Sequence, residues 1–381
     1  MSVFDVAVIG GGLAGKSTAI HLLKKGYSTL ILEKSNPNKS IPCAGGMAAS
    51  VENYFPLDLE NAIETKINRV YFSWKNEDPV IAELSGKSPF LIVNRKNLDE
   101  ILTKEVYRFG AKILFSITIE SLKLVNNNWL IQCENKKTFQ AKYLVIADGS
   151  ESLWASYLSL GPKKPKYAST IAINIKGLGN IEKNTVRFEF GSIKYGFAWA
   201  FPMKDSINIG LGSFIGDSKI KDKELCEYIV QSLGFKDIKY ERIFKRLRIW
   251  NGFHKLHNER VLVVGDAASL CDPFLAEGIR PSLISSYYAS ETIDKCLTSN
   301  KNHLHEYSLL MKENWSKSMI WGKRIAEVFY RFPKIGYRLG VKRKTAPERI
   351  AQILSGEMNY SDIAGRVIRR FIFQSENKNI E

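Results

Sequence analysis

A chain of 381 residues, 45% hydrophobic and 25% charged, is long enough for two or three domains and too apolar for general disorder. Its net charge of +16 suits an acidic small molecule, an anionic membrane or nucleic acid, and residues 301–370 alone hold 15 Lys and Arg against 6 Asp and Glu. Five cysteines (Cys43, Cys133, Cys226, Cys271, Cys296) without a C-x-x-C pair read as reduced intracellular thiols, and no uncharged apolar run reaches the roughly 18 residues of a spanning helix.

The chain begins directly with a buried-strand pattern, "DVAVIGGG", which leaves no room for a signal peptide. The glycine turn that follows fits two patterns. From Gly10 it spells G-x-x-x-x-G-K-S, a phosphate-cradling ATPase loop; through Gly10, Gly12 and Gly15 it spells G-x-G-x-x-G, a dinucleotide turn. "GKSTAIHLLKKG" predicts a short amphipathic helix with Ala19, Leu22 and Leu23 inward and Gly26 as terminator. "YSTLILEKS" predicts a second strand ending at Glu33, 23 residues after Gly10. A dinucleotide site needs an acidic acceptor for the adenosine ribose at that point, and a P-loop does not. The strand "YLVIAD", ending at Asp148, keeps the ATPase pattern open. Glu33 favours the dinucleotide, with Lys16 and Ser17 as exposed helix residues.

Three later segments narrow the dinucleotide to FAD. "NRKNLDEIL" carries R-x-x-L-D-x-x-L through Arg95, Leu98, Asp99 and Leu102. "KYLVIADGSES" places a turn after a buried strand at Asp148, Gly149 and Ser150. "ERVLVVGDAASLCDPFLAEGIRPSLISS" runs from an apolar strand through Gly265 and Asp266 to Pro273, then Glu277, Gly278 and Ile279 at the start of a helix. In order and spacing these resemble the flavoproteins of the aromatic hydroxylase fold. That resemblance implies Arg95 near the FAD diphosphate, Asp266 on a sugar or ribityl hydroxyl, and Gly278 and Ile279 aiming a helix N-terminus at the flavin, where reduction gathers negative charge. Further candidate cofactor contacts are Leu13, Ala14 and Lys34. No second nicotinamide-binding domain is visible, since "NIGLGSFIG" (208–216) lacks an acidic strand end and reads as part of a substrate sheet.

"IPCAGGM" (41–47), "KYGFAWAFP" (194–202) and "LSGEMNYSDI" (354–363) are similar to motifs of the geranylgeranyl reductase family, which saturates isoprenoid double bonds with reduced FAD. The likeness runs from residue 4 to about 370. It places Cys43, Ala44 and Gly45 against the isoalloxazine, and Phe197, Trp199, Phe201 and Pro202 at an apolar substrate. In the family's P-x-x-Y-x-W-x-F-P motif, Lys194 here replaces the first Pro and Phe197 the Tyr, so this position has no hydroxyl. Ala276 and "RPSLISS" also depart from a glycine-rich family segment. In a strand Phe197, Trp199 and Phe201 share one face, which makes either a greasy tunnel floor or ordinary core. Cys43 and Glu277 are the candidate proton donors, beside a flavin-bound water; a bystander role for Cys43 stays open. The five histidines (His21, His254, His257, His303, His305) show no metal-liganding pattern.

The expected architecture is α/β: a discontinuous Rossmann-type FAD-binding domain (1–66, 89–155, 255–300), an inserted antiparallel β-sheet substrate domain (67–88, 156–254) and a helical basic C-terminal region (301–381). In that last region Trp315, Trp321, Phe329, Tyr330, Phe332 and Tyr337 are interleaved with Lys and Arg, which suits nucleic acid as well as an anionic membrane, and the polyisoprenoid substrate that the resemblance implies favours the membrane. The resulting expectation is a cytoplasmic or peripherally membrane-associated reductase of a prenylated small molecule or lipid, taking electrons from NAD(P)H or a reduced carrier protein. The alternatives are an FAD-dependent monooxygenase or halogenase on the same fold, and a non-catalytic flavoprotein.

Overall fold

The structure is a computed structural model describing residues 3–37, 43–58, 60–84, 90–216, 220–235 and 241–364. Ile41 and Pro42 of the "IPCAGGM" motif, and residues 365–381 of the C-terminal region, lie outside them.

Val6, Ala7, Val8 and Ile9 are all buried, and the strand that carries them, Val3–Ile9, lies inside an eight-stranded sheet. Thr138–Ile146 flanks it on one side and Thr29–Leu32 on the other, followed outward by Val261–Val263 and Lys112–Leu114 respectively, all parallel. Uninterrupted apolar runs suit strands covered on both faces. The helix Leu13–Lys24 packs against helices Arg95–Arg108 and Ile279–Ser299. Because these strands run the same way, the segments leaving them at Gly10, Glu33, Ala147 and Val264 emerge at one edge. There the chain departs to both sides of the first strand, the position at which open α/β sheets bind ligands.

The second sheet has seven strands, in the order Ile243–Ile249, Lys166–Lys176, Ser206–Ser213, Gly196–Pro202, Thr185–Phe190, Arg69–Trp74, Glu77–Glu83. It is antiparallel except where Arg69–Trp74 runs parallel to Thr185–Phe190, the seam at which two distant stretches of chain meet. "NIGLG" lies in a strand of this sheet, Ser206–Ser213. Alternation decides what each face does. On Gly196–Pro202, Phe197, Trp199 and Phe201 join the main core, while Ala198 and Ala200 join a separate cluster with Leu225, Ile229 and Leu233 of the helix Asp222–Leu233. A small third sheet, Gly46–Ala48, Phe90–Val93 and Ile63–Ile67, lies between these in sequence.

The C-terminal helices include Leu304–Met311, Lys317–Arg331, Pro333–Gly340 and Ala346–Leu354. They correct the reading of their aromatics as a surface set. Trp315, Phe329, Tyr330 and Tyr337 are buried, and only Phe332 of the six is exposed. Trp315 Nε1 donates to the Leu270 carbonyl at 2.9 Å, Tyr330 Oη donates to the Phe274 carbonyl, and Tyr337 Oη to that of Asp78 at 2.7 Å. Each ring thus buries its apolar body and satisfies its polar tip on another element, which ties the helices to the connection that precedes Ile279–Ser299 and to the edge strand Glu77–Glu83.

Candidate active site

The parallel-strand edge and the aromatic face of the second sheet enclose a cavity of about 470 Å³. Its polar end begins at the glycine turn. Gly10 stands at φ +107, where a Cβ would overlap the Ala147 carbonyl. A Cβ at Gly15 would overlap the Gly10 carbonyl, whereas one at Gly12 would meet nothing within 4 Å. Gly10 and Gly15 therefore let the backbone close up behind the wall, and Gly12 leaves the cavity side clear. The helix that starts at Leu13 has no side-chain cap, so its first N–H groups remain available to an anion.

Glu33 fixes this turn to the end of the second strand. Its Oε2 accepts from Gly11 N at 2.6 Å and its Oε1 from Ser35 N at 2.7 Å, leaving each oxygen a further lone pair toward the cavity. Lys16 and Ser17 overturn the expectation of exposure: they are 1% and 0% exposed. Lys16 Nζ lies 2.6 Å from Asp99 Oδ2, so the lysine of the G-K-S pattern is held by the aspartate of the R-x-x-L-D segment. Burial pushes the lysine pKa down, against the pull of Asp99.

Arg95, Asp148, Gly149, Asp266, Lys34, Cys43, Ala44, Gly45, Glu277, Gly278 and Ile279 all line the same cavity, with Leu13 and Ala14. Gly265 and Pro273 stand behind its wall. Gly265 is at φ +59, where a Cβ would approach Ala14 Cβ to 2.9 Å. Arg95 Nη1, Asp148 Oδ1 and Glu277 Oε1 are buried without a hydrogen-bond partner. Such orphaned groups at a cavity wall are the polar fittings a dinucleotide would satisfy. Burial also holds the Asp148 carboxyl above its usual range. Cys43 is half-buried, and its Sγ accepts from Gly45 N at 3.4 Å.

Glu277 sits over a buried charge cluster. Its side chain is 8% exposed, and Oε2 accepts from Arg280 Nη2 at 2.7 Å. Burial pushes its carboxyl up to about 7, Arg280 opposing and Asp272 adding to the shift. Asp272 is fully buried: Oδ1 accepts from Phe274 N and Leu275 N at 2.6 and 2.9 Å, and Oδ2 from Tyr360 Oη at 2.8 Å. Tyr360 and Gly356 come from "LSGEMNYSDI". At Gly356 a side chain would overlap Ser50 Oγ and approach Arg280 Nη1 to 2.9 Å. The sequence motifs mark these segments but do not distinguish Asp272, Arg280 or Tyr360 within them. Arg280, one helical turn from Glu277, was within reach of a spacing argument; the Asp272–Tyr360 pair, 88 residues apart, was not. Ala276 adopts φ +59, a left-handed conformation that glycine takes up more readily than alanine.

The apolar end is an aromatic box of Phe90, Phe188, Phe197, Trp199 and Phe201. Phe188 meets Phe197 and Phe201 edge-on at 5.6 and 5.5 Å. Trp199 Nε1 donates to Asn208 Oδ1 at 2.9 Å, which satisfies its polar atom inside the sheet. Pro202 ends the strand and does not face the cavity.

The sequence profile described as FAD binding domain matches residues 3–203. A digeranylgeranylglycerophospholipid reductase of Methanocaldococcus jannaschii is 26% identical over 327 residues, 82% of this chain and 83% of that protein. One of Methanococcus aeolicus is 27% identical over 385 residues, covering 97% and 95%. Among solved structures, a geranylgeranyl bacteriochlorophyll reductase-like protein from Thermoplasma acidophilum superposes with a TM-score of 0.73 at 21% identity, covering 93% of this chain and 92% of that one. A point mutant of the halogenase PltM in complex with FAD gives 0.70 at 16% identity, over 86% and 76%. At such identities the structures show a shared fold. With the match extending over more than half its length, the chain belongs to the FAD binding domain family and is an FAD-dependent oxidoreductase.

Proposed function

We propose that this chain is an FAD-dependent reductase that saturates C=C bonds of a geranylgeranyl-type prenyl chain on a lipid or small molecule. One observation carries the reading: the cavity that presents unpartnered polar groups to a dinucleotide continues into a box of five aromatic rings. The names of the relatives, digeranylgeranylglycerophospholipid reductases, support the same class of substrate.

In this reading Gly10, Gly12 and Gly15 seat the diphosphate with Arg95, Glu33 takes the adenosine ribose, and Asp266 takes a hydroxyl of the flavin chain. Gly278 and Ile279, at the start of the Ile279–Ser299 helix, would offer backbone N–H groups to the flavin, whose reduction adds negative charge. Bound FAD, reduced by NAD(P)H or a carrier protein, supplies the hydride. The residues must do the rest. An isolated alkene accepts hydride poorly unless a proton is positioned at the neighbouring carbon and water is kept out. Phe188, Phe197, Trp199 and Phe201 orient the chain and exclude water. Phe197 has no hydroxyl, so the proton comes from another wall, and Glu277, whose carboxyl holds its proton up to about pH 7, is the group placed for it, with Cys43 as the second candidate. Among the described residues no helix is long and apolar enough to cross a membrane. We assign the FAD-binding part to segments 1–66, 89–155 and 255–300, and the substrate part to 67–88 and 156–254.

The test is anaerobic. Purified flavoprotein is reduced without oxygen and mixed with a panel of prenyl compounds while flavin absorbance is followed. Prenyl-dependent reoxidation supports the reductase. Oxygen-dependent reoxidation that oxygenates or halogenates the substrate points to a monooxygenase or halogenase instead, and bound flavin with no substrate-dependent reoxidation to a non-catalytic flavoprotein.

A further inference from the structure

Most of the C-terminal aromatics are core, yet the same helices carry another apolar set on their outer side. Val328, Phe332, Ile335 and Leu339 are 62%, 59%, 57% and 53% exposed. Ile335 and Leu339, four residues apart, share one face of Pro333–Gly340, with Phe332 at the corner before that helix and Val328 in the last turn of Lys317–Arg331. The corner is tight: a Cβ at Gly336 would approach Phe329 Cδ2 to 2.7 Å, so the two helices form one surface. Four large apolar residues in a row on solvent-facing helices are unusual for a surface without a partner.

The residues between them identify the partner. Arg331, Lys334 and Arg338 are exposed within the same run, and Lys342, Arg343 and Lys344 extend it. Over residues 323–344 there are eight Lys and Arg against Glu327 alone. Lys342 is engaged, 2.6 Å from Asp78 Oδ1. Apolar side chains flanked by cations are what an anionic bilayer surface recognises, because the rings and aliphatic groups enter the acyl boundary while the cations meet the head groups.

The inner face of this helix pair leads to the site. Phe329 packs on Phe190 at 5.1 Å and on Phe274 at 5.3 Å. Tyr330 stacks on Phe214 at 5.0 Å, and Phe214 stacks on Phe197 of the aromatic box at 5.2 Å. We propose that the Lys317–Gly340 helix pair docks on an anionic lipid leaflet through Val328, Phe332, Ile335 and Leu339, with Arg331, Lys334 and Arg338 on the head groups, and so brings the aromatic box beside a membrane-held substrate. The link to substrate rests on the prenyl-lipid reading; the docking does not.

Flotation of the FAD-loaded full chain tests it, with vesicles of phosphatidylglycerol and of phosphatidylcholine. The wild type floats with the anionic vesicles, at least tenfold less with the neutral ones, and less as salt rises. Arg331→Gln/Lys334→Gln/Arg338→Gln loses about fivefold per charge, or about a hundredfold. Phe332→Ser/Ile335→Ser/Leu339→Ser loses at least tenfold. Both variants keep the flavin spectrum and turnover of a detergent-dispersed prenyl substrate. Equal flotation on both lipids, or no loss in either triple variant, overturns the proposal. So does a wild-type dimer that the serine variant turns into monomer, because the face then belongs to a second copy. Turnover without flotation sinks the docking surface alone; flotation with these losses but no prenyl-dependent reoxidation supports it and sinks only the reductase reading.

Discussion

Replacing Glu277 by glutamine removes one titrating proton from the centre of the site and leaves the shape. In the unfolded chain a glutamate titrates near ~4.3; folded, burial raises Glu277 to about 7, with Asp272 adding and Arg280, 2.7 Å away, opposing. A group raised in the folded state binds its proton more tightly there. Its stabilising contribution is complete below the unfolded value and disappears as pH climbs through the folded one. A shift of nearly three units at 1.36 kcal/mol each gives about 3 kcal/mol, allowing for coupling to Asp272 and Arg280. Asp148 and Glu189 are raised by burial as well, but they remain in both proteins and cancel in the difference, whereas Asp272, also raised by burial, is coupled to Glu277 and falls under that allowance. Urea unfolding of wild type and Glu277→Gln, from pH 4.5 to 8.5, gives that difference directly. The advantage of wild type over the variant should fall by about 3 kcal/mol across this window, with its midpoint between the two pKa values. Prenyl-dependent flavin reoxidation by the wild type should decline above about pH 7, and in the variant should be slow and flat. A stability difference that stays constant from pH 5 to 8 would refute the argument.

Three other outcomes follow from the site. Asp99→Ala leaves the Lys16 ammonium buried without its partner and should cost about 3–5 kcal/mol. Adding Lys16→Met should recover at least about 2 kcal/mol of that, so a double-mutant cycle by thermal unfolding that proves additive would break the assigned pair. Arg95→Ala should weaken FAD binding roughly 10–100-fold, read by flavin fluorescence quenching, because Arg95 Nη1 has no partner in the protein to lose. Gly15→Ala forces a methyl into the Gly10 carbonyl and should destabilise by about 3 kcal/mol, with colourless protein on purification; a yellow protein of normal stability would contradict the packing.

Sequence alone was sufficient for whatever depends on neighbours in the chain. The strand–turn–helix of residues 3–24, the acidic strand end at Glu33, and the alternation that puts Phe197, Trp199 and Phe201 on one face are all set by short-range sterics and the two-residue period of a strand. What the tertiary structure decided are the contacts between segments far apart. Lys16 looked like an exposed helix residue until the Arg95–Arg108 helix brought Asp99 to it across 83 residues. Asp272 meets Tyr360 across 88. The C-terminal helices carry apolar residues on two faces, and only docking onto Phe190, Phe214 and Phe274 determined which set became core and which stayed in solvent. Local propensity and periodicity act within a few residues and cannot encode a partner that loop closure delivers later.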